Sequence, residues 1–294
     1  VQRMRDLYDL SATPEDDVFM KVGASGTVSA NLLYCFAGVA QPGYTLDWDG
    51  RDHLQPTVDW FRGGDAAGDT PFDRPSEAAE VGRTAAWVQS GTPSPLDDEI
   101  SAINPRFAFV NYGTNDMQMG TTHRSALFPF YDAFTDLLDE IEAQGIIPLI
   151  SGLNPRTDTQ TAERWVPTYD AVTRGIAEAR QLPYLSLYLA ARELPDQGLV
   201  GDGVHGNAYS DGGYEPCVFT AAGLQFNYNV RNLLTLQLLD EVRRTVLEAQ
   251  APSGTNPRVW AGEGTPSRPI EVDVLPFSDH ASTAASPSSD RDSY

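Results

Sequence analysis

The sequence predicts an α/β fold, a three-layer α/β/α sandwich around a central parallel sheet of about five strands. Three observations lead there. Short apolar runs alternate with helix-period segments from the start of the chain to about residue 250. The polar residues able to do chemistry fall where the apolar runs end, and open parallel sheets bind ligands beyond the carboxyl ends of their strands. A 294-residue chain with 41% hydrophobic residues also has enough apolar material for one large core.

The first apolar run, Val18–Ala24, reads as a strand feeding a helix that opens at Ser25 and runs through Leu32, Leu33 and Phe36. His53–Phe61 reads as a second strand, placed at an edge by Pro56. A Gly- and Asp-rich excursion follows from Gly63 to Pro75, and Gly82 precedes a short helical stretch, RTAAWVQ. Arg106–Tyr112 is the third strand and runs straight into Gly113-Thr114-Asn115-Asp116. A helix then covers LFPFYDAFTDLLDEIEAQ, with Leu137, Leu138 and Ile141 on one stripe and Gly145 as its stop. Ile146–Leu153 is the fourth strand, Glu163–Gln181 a helix, and Leu182–Tyr188 the fifth strand. A long helix, LQFNYNVRNLLTLQLLDEVRRTVLEA, closes the 1–250 domain. From 251 to 294 Pro, Ser, Gly and Thr dominate, which predicts a linker. Its strand-like island, Pro269–Phe277, reads either as the start of a truncated β-sandwich module, leading to downstream domains of a longer chain, or as a strand that packs back.

A net charge of −21 disfavours nucleic acid, anionic membranes and polyanionic substrates as partners. No stretch approaches the roughly 20 apolar residues of a membrane-spanning helix. Lys21 is the sole lysine. The chain starts at Val1 without a signal segment, which reads as a processed or truncated start. Metal sites and glycine-rich phosphate cradles are unsupported, so no cofactor is expected: HExxH and CxxC are missing, and Asp47-Trp48-Asp49 and Asp211-Gly212-Gly213 read as loops.

Four scattered blocks carry the chemistry: Gly23-Ala24-Ser25, Gly82, Gly113-Thr114-Asn115-Asp116 and Asp202-Gly203-Val204-His205. A serine hydroxyl becomes nucleophilic when a histidine takes its proton, and the histidine needs an acid to hold its tautomer. Ser25, His205 and Asp202 supply these roles, while Asn115 and the N–H groups of Ser25 and Gly82 can face a developing oxyanion. In order and spacing the blocks resemble the SGNH hydrolases, the GDSL-like lipase/esterase family, over roughly residues 15–250. The resemblance implies a flavodoxin-like sheet, a serine esterase activity, and Gly113 and Asp116 as supports of the Asn115 loop. One departure stands out. The family's Gly-Asp-Ser reads Gly-Ala-Ser here, so Ala24 removes a carboxylate that braces the turn.

Plainer roles compete at each position. Ser25 suits a helix N-cap, Asn115 a turn cap, His123 is the rival base, and Gly63, Gly64 and Gly68 rival Gly82. His53 and His280 read as surface or structural. The aromatics Tyr44, Trp48, Trp60, Trp87 and Tyr209 suit either a sugar-stacking rim or the core. Cys35 and Cys217 are the only cysteines; a disulfide and two unrelated buried thiols both remain open. The expected substrate is a small-molecule or glycan ester with a short acyl group, processed by a secreted or cell-surface enzyme. A lipase-like esterase for longer chains and a binding module with a decayed site are the alternatives.

Overall fold

A computed structural model describes residues 1–38 and 44–248. Its frame is a four-stranded, all-parallel sheet of β1 (Glu15–Gly23), β3 (Pro105–Asn111), β4 (Ile147–Ser151) and β5 (Tyr184–Leu185), in the order β1-β3-β4-β5. The pair β2 (Leu46–Asp47) and β6 (Cys217–Val218) forms a separate parallel ribbon. The central strands are buried on both faces, so they read as continuous apolar runs.

Helices cover the sheet. In chain order they are α1 (Gln2–Leu10), α2 (Ser25–Val28), α3 (Gln55–Arg62), α4 (Pro95–Ile103), α5 (His123–Ala143), α6 (Gln160–Arg180), α7 (Leu187–Ala191) and α8 (Asn227–Val242), which continues as a wider turn over Arg243–Leu247. Helices α5 and α6 pack on each other, and α8 packs on α3 and α7. Phe19 meets Phe61 and Phe72 edge-on, and Phe36 joins Phe219 and half-buried Trp48, which packs against the core from its edge.

The expected second strand is a helix. Leu54, Val58 and Phe61 recur at intervals of four and three and are all buried, a helical stripe, while Pro56 sits in the first turn where its missing N–H costs nothing. The outer edge of β1 instead receives a single parallel bridge, Gly23 to Ala79. Among the described residues the sheet therefore has four strands, and this bridge stands where a fifth was expected. The helix after Ser25 also stops early, at Ser29, and Cys35 lies on a separate 3₁₀ turn, Tyr34–Phe36. The stretch after Gly82 forms turns, and the fifth strand shrinks to two residues. The expected linker and the Pro269–Phe277 island lie outside the described residues.

Candidate active site

The site forms at the carboxyl ends of β1, β3 and β4. Strand β1 ends at Gly23, Ala24 stays extended, and Ser25 is the first residue of α2. Within this turn the N–H groups of Thr27 and Val28 both donate to Ala24 O, leaving the Ser25 and Gly26 amides as its free donors. Ser25 Oγ lies 2.9 Å from His205 Nε2, and His205 Nδ1 lies 2.7 Å from Asp202 Oδ2. With the Nδ1 proton toward the carboxylate, Nε2 is left to accept from the serine hydroxyl.

The acid is held by its own loop. Asp202 Oδ1 accepts the N–H groups of Val204 at 2.9 Å and His205 at 3.0 Å. The His205 amide bond is the chief influence holding the Asp202 carboxyl down to about 2, with the His205 ring and Val204 N–H acting in the same direction against partial burial. Asp202 is therefore ionised at any pH near neutral. Gly203 fits the loop against its neighbour: φ is +70°, and a Cβ there would come 2.7 Å from Asp158 N.

Asn115 follows β3. Its Nδ2 donates to Arg83 O at 2.8 Å, which orients the amide and leaves a second N–H for a ligand. Buried Asp116 braces this loop by accepting the N–H groups of Gly113 and Ala85, each at 2.9 Å. Gly113 has φ +121°, a turn open to glycine. Arg156, paired with Asp158, donates to Thr114 O at 2.9 Å and fixes the same loop from the β4 side.

Burial pushes the Asp116 carboxyl up to about 6, against the pull of the Ala85 and Gly113 amides. A raised carboxylate pKa means that the folded state binds this proton first, so its contribution to stability grows as pH falls from 7 through 6 toward the unfolded value of about 3.9. Asp116→Asn removes this component. The stability of the wild type relative to Asp116→Asn is expected to increase by about 1 kcal/mol between pH 7 and pH 5, read by denaturant titration. A difference independent of pH would show that Asp116 does not titrate there.

Together Ser25, Asn115 and His205 line one open cleft enclosing about 420 Å³ of space, solvent included. Gly82 does not line it; its neighbour Arg83 does, and Gly82 is exposed. Gly63, Gly64 and Gly68 do not line it either. His123 opens α5 away from the cleft and His53 is on an exposed turn, so His205 is the histidine that meets Ser25. Trp87 lies under the Arg83 guanidinium at 5.2 Å, near the rim, and Trp60 is partly exposed beside Asp16. A disulfide joins Cys35 to Cys217. Five lining residues, Gly26, Arg83, Asn111, Tyr112 and Asn154, lie outside the blocks read from the sequence; of these Asn111 and Asn154 each follow the apolar run of a strand, the same signal that marks Asn115. Among the described residues no cluster of His, Cys, Asp or Glu is placed for a metal, and no helix is long and apolar enough to cross a membrane.

Residues 72–209 match the model of the GDSL-like Lipase/Acylhydrolase family, a stretch that includes Gly82, Asn115, Asp202 and His205 but not Ser25. No curated protein shows significant similarity to the chain. Among solved structures, a GDSL-like lipase from Bacteroides thetaiotaomicron aligns at 13% identity over 82% of this chain and 97% of its own, with a TM-score of 0.47. A putative acylhydrolase from Bacteroides fragilis aligns at 15% over 82% and 96%, TM-score 0.47. A catalytic mutant of an acetylxylan esterase from Geobacillus stearothermophilus aligns at 12% over 77% and 95%, TM-score 0.46. Over residues 72–209, somewhat less than half of the chain, the protein is thus similar to the GDSL-like lipase/acylhydrolase family, and this match supports a carboxylic ester hydrolase.

Proposed function

We propose that the chain is a serine esterase acting on short acyl groups carried by a glycan or another small polar alcohol. The observation that carries this reading is the unbroken series Asp202 Oδ2, His205 and Ser25 Oγ, spaced at 2.7 and 2.9 Å. Ser25 Oγ attacks the acyl carbon while its proton passes to His205 Nε2, and the carbonyl electron pair moves onto oxygen. The Ser25 N–H and the free N–H of Asn115 receive this oxyanion. Collapse expels the alkoxide, which takes the proton from His205. Water then repeats the cycle on the acyl-enzyme, releasing the acid and restoring Ser25.

The cleft supports short acyl groups. Its side chains are mostly polar, Asn111, Thr114, Asn115 and Asn154 among them, while Ala24, Tyr112 and Val204 supply little apolar wall for a long alkyl chain. The disulfide suits an oxidising compartment, so we assign the enzyme to secretion or the cell surface. Residues 1–250 are assigned as its catalytic domain.

Assay with p-nitrophenyl acetate beside the palmitate ester tests the reading. Turnover of acetate with kcat/KM falling as the acyl chain lengthens is the expected result. Preference for palmitate would assign a lipase, and inactivity on both would leave Ala24 as the mark of a decayed site. Asn115→Ala is expected to lower kcat by about 10²–10³ with little change in KM. An effect on KM alone would make Asn115 a substrate-binding group.

A further inference from the structure

Three arginines are buried among the described residues, and their surroundings differ. Arg106 pairs with Asp16 at 2.9 Å and Arg156 with Asp158 at 2.7 Å. Arg231, on α8 and fully buried, has no carboxylate partner. Its Nη1 donates to Gly26 O and its Nη2 to Asn111 Oδ1, each at 3.0 Å, and its Nε has no partner. The guanidinium also lies 5.7 Å from the Phe109 ring centroid. Burial of a lone cation is costly, and it pulls the Arg231 pKa down.

The two groups that Arg231 holds are next to the reacting atoms. Gly26 follows Ser25 and lines the cleft, and a Cβ there would come 3.1 Å from Nη1. Asn111 ends β3, lines the cleft, and donates to Gly152 O at 2.9 Å at the end of β4. One side chain thus ties the nucleophile's turn to two strand ends.

Resting on the esterase reading, we propose that Arg231 is a positioning residue for Ser25. Its fork fixes the turn that presents the hydroxyl and the Ser25 amide, and its unpaired charge finds its counter-ion only when the acyl oxygen becomes an anion. A charge without a resting partner favours the tetrahedral intermediate over the neutral ester, so its effect belongs to kcat.

Two variants separate this role from a structural one. Arg231→Met removes the fork and the charge with a side chain of similar reach, and Asn111→Asp gives Arg231 a resting counter-ion. On p-nitrophenyl acetate, both are expected to lower kcat by about 10-fold or more, with KM within about threefold. Both should keep or raise the melting temperature, because an uncompensated buried charge has been removed or paired. Labelling of Ser25 by a fluorophosphonate should slow by a similar factor. Arg231→Lys, which keeps the charge without the fork, should recover part of kcat. If Arg231→Met fails to fold, the result is read from Asn111→Asp. A folded variant with wild-type kcat, or activity that falls only with the folded fraction, would overturn the role of Arg231. A wild type that neither turns over ester nor labels at Ser25 would overturn the esterase reading and this inference with it.

Discussion

Replacing Ser25 with alanine is expected to abolish ester turnover, a loss of about 10⁴-fold or more, while leaving the fold intact. The size follows from the chemistry. The acyl group has to bond covalently to an oxygen, and alanine offers none, so only uncatalysed attack by water on a bound ester remains. The small structural cost follows from the contacts. The Ser25 side chain is only partly buried and its hydroxyl meets His205 alone, so the stability change should stay within about 0.5 kcal/mol. A fluorophosphonate should label the wild type at Ser25 and fail to label the variant. Label found on another serine, or activity kept by Ser25→Ala, would defeat the assignment of the nucleophile. His205→Ala should slow the labelling, because without its base the hydroxyl keeps its proton.

Strands β1, β3 and β4 were legible because burial on both faces makes each a run of apolar residues bounded by polar ones. The misreadings have physical causes. In His53–Phe61 proline suggests an edge strand, yet the 4-and-3 spacing of Leu54, Val58 and Phe61 is helical. Leu182–Tyr188 is apolar enough for a full strand, but the chain turns into α7 after two paired residues. At the site, the blocks that carry Ser25, His205 and Asp202 were readable, and these three side chains do meet in the fold. The supports were not readable. In the sequence α8 reads simply as a long closing helix, but nearly every residue on it is buried. Its polar side chains gather the loops of the site: Asn227 bonds Asn154, Asn229 bonds Glu215 O and Val218 O, and Arg231 bonds Gly26 O in the Ser25 turn. Such roles depend on which chain segments meet in space, and one-dimensional periodicity does not encode that.

Reduction of the Cys35–Cys217 disulfide is expected to destabilise the protein by about 5 kcal/mol, because the bond closes a loop spanning 182 residues and the chain-entropy model assigns most of its effect to the unfolded state. A melting temperature lower by roughly 10–20 °C in reductant should result. Activity at 25 °C should change far less. The two cysteine segments are also joined by buried Asn232, whose Nδ2 donates to Asn31 O at 2.8 Å and Pro216 O at 3.1 Å, while its Oδ1 accepts Leu33 N–H at 3.0 Å. Those bonds keep the native geometry after the sulfurs part, so the Ser25 turn and the segment after His205 stay in place until the chain unfolds. The two cross-links should therefore compensate for each other in the native state. Asn232→Ala is expected to lower activity more in reduced than in oxidised protein, measured with and without a phosphine reductant. An unchanged melting temperature on reduction would show that the disulfide does not form in solution, and an equal effect of Asn232→Ala in both redox states would show that the two links act independently.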